Sequence, residues 1–129
     1  MQRGEIRNRQ FMAVNNFSGL RWGAITPTDL DGLIDFGNRL FVFVELKFKG
    51  AALPYGQKLA LERVVDAIES VPTIAIIAHH ETPAGQDIDA ARAIVTAYRW
   101  ERRWYTPSRV LTLKDAIDIM HAQFVQEAS

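Results

Sequence analysis

The spacing of apolar and polar positions changes along the chain, and each change of period marks an element. Residues 3–15 place Ile6, Phe11 and Val14 among Arg3, Arg7 and Asn8, a helical pattern that Asn15 to Gly19 interrupts. Residues 20–25 read as a short strand, and Pro27 leads into the next one. From residue 29 the period falls to two: Asp29, Asp31, Leu33 and Asp35 share one face, with Leu30, Gly32 and Ile34 on the other. After a Gly37-Asn38 turn signal, residues 40–44 form an unbroken run of Leu, Phe and Val, the pattern of a buried strand. That strand carries on into Glu45-Leu46-Lys47. A loop at 48–50 and Pro54-Tyr55-Gly56 lead into a helix from Gln57 to Glu69, striped by Leu59, Leu61, Val64, Val65 and Ile68. Residues 73–78 form a second buried strand, so the helix is a crossover and the two strands are parallel. Residues 93–105 predict a strand or hairpin turning near Glu101-Arg102. Thr112-Leu113-Lys114-Asp115 has the form of a capping box with Asp in place of Glu, and it opens a last helix to about Gln126. The expected class is α/β: a helix, a mixed sheet with a β-hairpin, a crossover helix and a strand, followed by C-terminal strands and a helix.

Composition narrows this picture. At 129 residues, the chain is expected to form a single domain (1–129) with a proper core. No run approaches the roughly 20 apolar residues of a membrane span. The first residues lack the apolar stretch of an export signal, so a cytoplasmic protein with no membrane partner is expected. With no Cys there is no disulfide framework and no thiolate zinc site. The zero net charge supplies no overall attraction to phosphate. Charge is segregated, however. Arg3, Arg7, Arg9 and Arg21 load one segment and Arg99, Arg102, Arg103 and Arg109 another, which leaves room for a local basic groove.

Candidate chemistry concentrates where the apolar strand runs into Glu45-Leu46-Lys47. Glu45 and Lys47 point to one face of that strand. A two-residue turn would pair Phe36 with Arg39 and separate the acidic residues onto opposite faces. A three-residue loop pairs Phe36 with Leu40 and sets Asp31 opposite Glu45 and Asp29 opposite Lys47. The acidic face favours the second register, or one with a bulge. Facing carboxylates repel, and a hard divalent cation between them, Mg2+ or Mn2+, resolves the repulsion. Lys47 is then placed to orient a water or to stabilise phosphate charge. His79-His80-Glu81 tempts a metal reading, but adjacent strand residues face opposite ways, and a solvated strand end is the commoner role. Aromatics interleaved with Arg between Tyr98 and Tyr105 suit base stacking. They more commonly fill the second face of a small sheet.

Asp31, the strand at 40–44 and Glu45-Leu46-Lys47 together resemble the signature of the PD-(D/E)XK nuclease superfamily. The likeness covers roughly residues 3–80. Glu5 resembles the acidic residue that many members place before the Asp. Gln57 resembles the Gln of several branches, among them the stand-alone VRR-type nucleases of phages, and the small size is similar to that of Holliday junction resolvases. One departure leaves two candidates for the Asp: the position before it is usually Pro or small and apolar, whereas here the sequence is Thr28-Asp29-Leu30-Asp31. The resemblance implies a restriction-endonuclease-like core and metal-dependent phosphodiester hydrolysis in DNA. It implies that Asp31 and Glu45 hold the metal, with the Leu46 carbonyl and Glu5 as further ligands. Lys47 would position the attacking water, and Gln57 would reach the scissile phosphate or support Lys47. A chain this short has no separate recognition domain, so the implied partners are DNA together with a homodimer mate or a protein supplying recognition. The alternative is a catalytically silent module of the same fold, such as a phage protein acting on a host DNA-processing complex.

Overall fold

The two unbroken apolar runs of the sequence, at 40–44 and 74–78, lie side by side inside the sheet. The structure, a computed structural model, describes residues 16–126. Strand β1 (Gly32–Asp35) pairs antiparallel with β2 (Phe41–Phe48), and helix α1 (Tyr55–Ala67) crosses to β3 (Thr73–His80), which lies parallel to β2. Strands β4 (Ile94–Trp100) and β5 (Arg103–Tyr105) complete a five-stranded mixed sheet in sequential order, and α2 (Leu113–His121) follows. The α/β class, the hairpin, the crossover helix and the C-terminal strands and helix all match the sequence pattern. The first expected helix, at residues 3–15, and Glu5 with it, lie outside the described residues.

A central strand covered on both faces must be apolar on both, and β2 is. Its even residues Val42 and Val44 join Ile74, Ile76, Val95 and Leu113 in one core, covered by Ala116, Ile117 and Met120 of α2. Its odd residue Phe43 joins Ala75, Leu61 and Val65 in a second core beneath α1. One helix therefore covers each face. Thr112 caps α2 by accepting a hydrogen bond from the Asp115 N–H at 3.1 Å, as the capping pattern predicts. The helix then widens into a π turn over Ala122–Gln126.

The β1–β2 turn combines both registers considered from sequence. Gly37 and Asn38 have φ of 62° and 65°, the positive values a type I′ turn needs at both central positions. The Arg39 N–H closes onto the Phe36 carbonyl at 3.1 Å, yet the Phe36 N–H reaches past Arg39 to the Leu40 carbonyl at 3.0 Å. Arg39 is thus a bulge, and Gly32 pairs with Val44 as the three-residue count requires. Asp35 serves this turn: its carboxylate accepts from the Asn38 N–H at 2.7 Å.

Some boundaries differ from the pattern. Residues 20–25 do not join the sheet; Trp22 and Ile25 form an isolated bridge around Gly23, whose φ of 65° folds the segment back on itself. The strand expected from residue 29 begins only at Gly32, because a side chain replaces the backbone in the ladder at Asp31. Helix α1 stops at Ala67 rather than Glu69, with Ile68 already extended.

Candidate active site

The site arises where two amphipathic patterns run out of apolar residues at the same place. On the α1 side of β2 the side chains read Phe41, Phe43, Glu45, Lys47. On the sheet-facing side of α1, residues four apart read Val65, Leu61 and, in the first turn, Gln57. Leu61 and Val65 pack on Phe43 and Ala75. The polar ends of both rows meet, and Gln57 lies against Glu45.

Gln57 uses both ends of its amide. Its Nε2 donates to Glu45 Oε1 at 2.8 Å and to the Asp29 backbone carbonyl at 3.2 Å. Its Oε1 accepts from Lys47 Nζ at 3.3 Å. An amide carries a donor for the carboxylate and an acceptor for the ammonium, so Gln57 faces both with complementary groups. The Lys47 Nζ itself lies 3.9 Å from Glu45 Oε1. Asp31 enters from the edge. Its Oδ2 accepts the Leu46 N–H at 2.7 Å, the bond that a residue 30 carbonyl would take if the antiparallel ladder continued.

Glu45 is 3% exposed, and among the described residues only Thr73 shares its status as a buried polar side chain. Thr73 is satisfied by the Val71 carbonyl at 2.9 Å. Glu45 is not balanced in the same way. Burial, followed by the neighbouring Asp31 charge and carboxyl, pushes it up to about 7, against the smaller lowering effects of Lys47 and Gln57. A cleft of about 210 Å3 walled by Leu30, Phe43, Leu61 and Val64 adjoins Glu45 and Gln57, which accounts for the poor solvation.

No protein-family model matches the chain, and no curated protein or solved structure matches it. The site must be read from its own chemistry.

Asp31, Glu45, Lys47 and Gln57 are brought together as the sequence pattern proposed, and Leu46 contributes its N–H to Asp31. Asp29 meets the site through its backbone carbonyl. Among the described residues no group of three or more His, Asp or Glu side chains is arranged as a metal cluster; Asp31 and Glu45 form a pair. The donor set of that pair nonetheless suits a hard cation. Burial and the neighbouring Asp31 carboxylate raise the cost of ionising Glu45, and a divalent ion would relieve it.

The neighbouring motifs are held by contacts within the fold. His79 is held between the Thr96 hydroxyl and the Ala51 carbonyl, at 2.8 Å each. His80 Nδ1 accepts the Thr82 N–H at 3.2 Å and its ring packs edge-on to Phe48. Arg99 makes a two-pronged contact with Asp66, at 2.9 and 2.6 Å, which lowers the Asp66 carboxyl below its usual range. It therefore ties α1 to β4. Trp104 Nε1 donates to Glu62 at 2.6 Å, and Trp100 packs on Phe124 beneath the other helix. Sequence pattern alone does not single out Lys58, whose ammonium rests 5.2 Å from the Trp104 ring centroid. The signal available was its position immediately after Gln57.

Proposed function

We propose that this protein is a metal-dependent phosphodiesterase acting on DNA, built on a restriction-endonuclease-like core. The observation that carries the reading is the buried Glu45, kept near Asp31 and joined through Gln57 to Lys47. A purely structural ion pair would have a second cation in place of Asp31, since adjacent acids destabilise one another. The proposed roles follow from each side chain's position. Asp31 and Glu45 would hold Mg2+ or Mn2+, which when bound supplies Lewis-acid polarisation of a phosphate and makes water a better nucleophile at neutral pH. Lys47 projects its ammonium beside the carboxylates, where it orients a water and offsets negative charge developing on the phosphate. Gln57 holds Lys47 at a fixed distance from Glu45 and stops it collapsing into a tight ion pair. The apolar cleft beside Glu45 keeps bulk water from screening these charges.

Linear, flap and branched DNA incubated with Mg2+ and with Mn2+ tests the reading. Cleavage by the wild-type protein is expected, lost in Asp31→Asn and Glu45→Gln. Lys47→Ala should lower it about a hundredfold or more, with DNA affinity in Ca2+ little changed because one phosphate contact among several is removed. A wild-type protein that cuts none of these substrates with either metal, while binding DNA or a protein, would replace the nuclease with the silent module.

A further inference from the structure

Beside the candidate site, on the same face of the sheet, lies a groove that the reaction itself does not use. It encloses about 400 Å3 and is bounded by Leu53, Lys58, His79, Thr96, Ala97 and Trp104. The groove adjoins the site through two neighbours: His79 is the register partner of Lys47 on the parallel strand, and Lys58 follows Gln57. We propose that this groove takes one unpaired nucleotide of a DNA strand next to the scissile phosphate. The substrate is then single-stranded or frayed DNA rather than intact duplex. The inference rests on the phosphodiesterase reading and specifies its substrate.

Four observations support it. The volume falls within the range of about 300–1,000 Å3 usual for small-ligand sites, and a base entering such a groove must leave its stack and its pairing partner. Trp104 forms a fixed wall, with its indole N–H tethered to Glu62 at 2.6 Å, and aromatic rings of that kind stack bases without regard to sequence. Lys58 makes no ion pair with a carboxylate among the described residues; its ammonium sits over the Trp104 ring at 5.2 Å, where a strand phosphate would draw it off. The floor is also purpose-shaped. At the β3–β4 register shift, Ile77 pairs with Ala97 and Ala78 with Val95, which leaves Thr96 as an extra residue. The bulge turns the Thr96 hydroxyl onto His79 and the Ile77 carbonyl, and it leaves the small Ala97 beneath the groove.

The test measures binding in Ca2+ by fluorescence anisotropy, using a labelled 12-nucleotide single strand and the blunt duplex of the same sequence. Wild-type protein is expected to bind the single strand at least tenfold more tightly. Lys58→Ala and Trp104→Phe should each measurably weaken single-strand binding, Trp104→Phe the more because stacking carries most of the affinity, and leave duplex binding unchanged. Ala97→Leu, which fills the floor, should have the same effect as Lys58→Ala. Circular dichroism confirms that each variant is folded, and Lys58→Ala is the arbiter because its side chain lies at the rim. Equal affinity for the two DNAs, or a folded Lys58→Ala with wild-type single-strand affinity, overturns the groove. Metal-dependent cleavage of duplex with no dependence on Lys58 would leave the phosphodiesterase standing and remove the groove. Groove-dependent single-strand binding with no cleavage in Mg2+ or Mn2+ would do the reverse.

Discussion

Glu45 concentrates the energetics of the site in one side chain. Its carboxyl lies at about 7 in the folded protein and at an ordinary 4.5 when exposed. Between those values the folded state holds a proton that the unfolded state has lost. Stability is therefore greatest below about pH 4.5, as far as this group is concerned, and falls as pH rises through 7. In metal-free protein, Glu45→Gln should remove that fall and stabilise the fold at pH 8 by on the order of 2 kcal/mol, with little effect at pH 4.5. Urea midpoints at the two pH values check this; a midpoint difference that is the same at both would show that Glu45 is not strained. Millimolar Mg2+ or Mn2+ is expected to raise the wild-type Tm by mass action. Asp31→Ala should abolish that rise and Asp29→Ala should keep most of it, because Asp31 is the carboxylate that approaches Glu45 and Leu46. The opposite ranking would mean that Asp29 is the ligand.

At the level of elements, turns carry information that propensity alone does not. Gly37-Asn38 is a strong signal, and both residues take the left-handed conformation it predicts. Glu101 and Arg102 adopt the same conformation, with φ of 50° and 67°, although neither is a favoured residue there. Cross-strand pairing forces it, since Trp100 pairs with Arg103 and leaves only those two residues to reverse the chain. Left-handed backbone costs such residues roughly 1–2 kcal/mol each. Replacing Glu101-Arg102 by Asn-Gly is expected to raise stability by about 1–2 kcal/mol in urea unfolding. The Arg102 interactions given up are weak: an ion pair with Glu69 at 3.6 Å, exposed on both sides, and a bond donated to the Asp66 carbonyl at 3.3 Å. A lower midpoint would show that Arg102 holds the end of α1 more firmly than these distances imply.

Across the whole molecule, stability should be graded from the middle of the sheet outwards. Strands β2 and β3 are covered on both faces, while β1 and β5 are short edges. Hydrogen exchange is expected to be slowest at Phe43, Ile74 and Ile76, whose N–H groups bond between β2 and β3, and much faster in β1 and β5. Slow exchange at Leu33 or Trp104 equal to that of β3 would mean that the edges are covered in solution. This grading sets the site on a rigid support. Glu45 and Lys47 belong to the most protected strand, whereas Asp31 approaches from the most labile edge, so the Asp31–Glu45 separation is the adjustable dimension of the site.

Local sequence was enough to define most of the described elements and their order. Periods of two and 3.6, an unbroken apolar run and two turn signals are local properties, and they mark β2, α1, β3 and the α2 cap within a few residues. Local sequence also placed Glu45, Lys47 and Asp31 on one face, because side-chain alternation and loop length are matters of counting. Packing in three dimensions determined what counting cannot reach. Burial of Glu45 depends on α1 lying over Phe43 and Ala75, and Gln57 gains its role only when that packing sets it against Glu45 and Lys47. Asp31 caps Leu46 with its side chain, so the β1 ladder begins only at Gly32. Arg99 belongs in sequence to an arginine-loaded segment and is paired in the fold with Asp66, 33 positions away, since ion pairing follows distance in space and not along the chain.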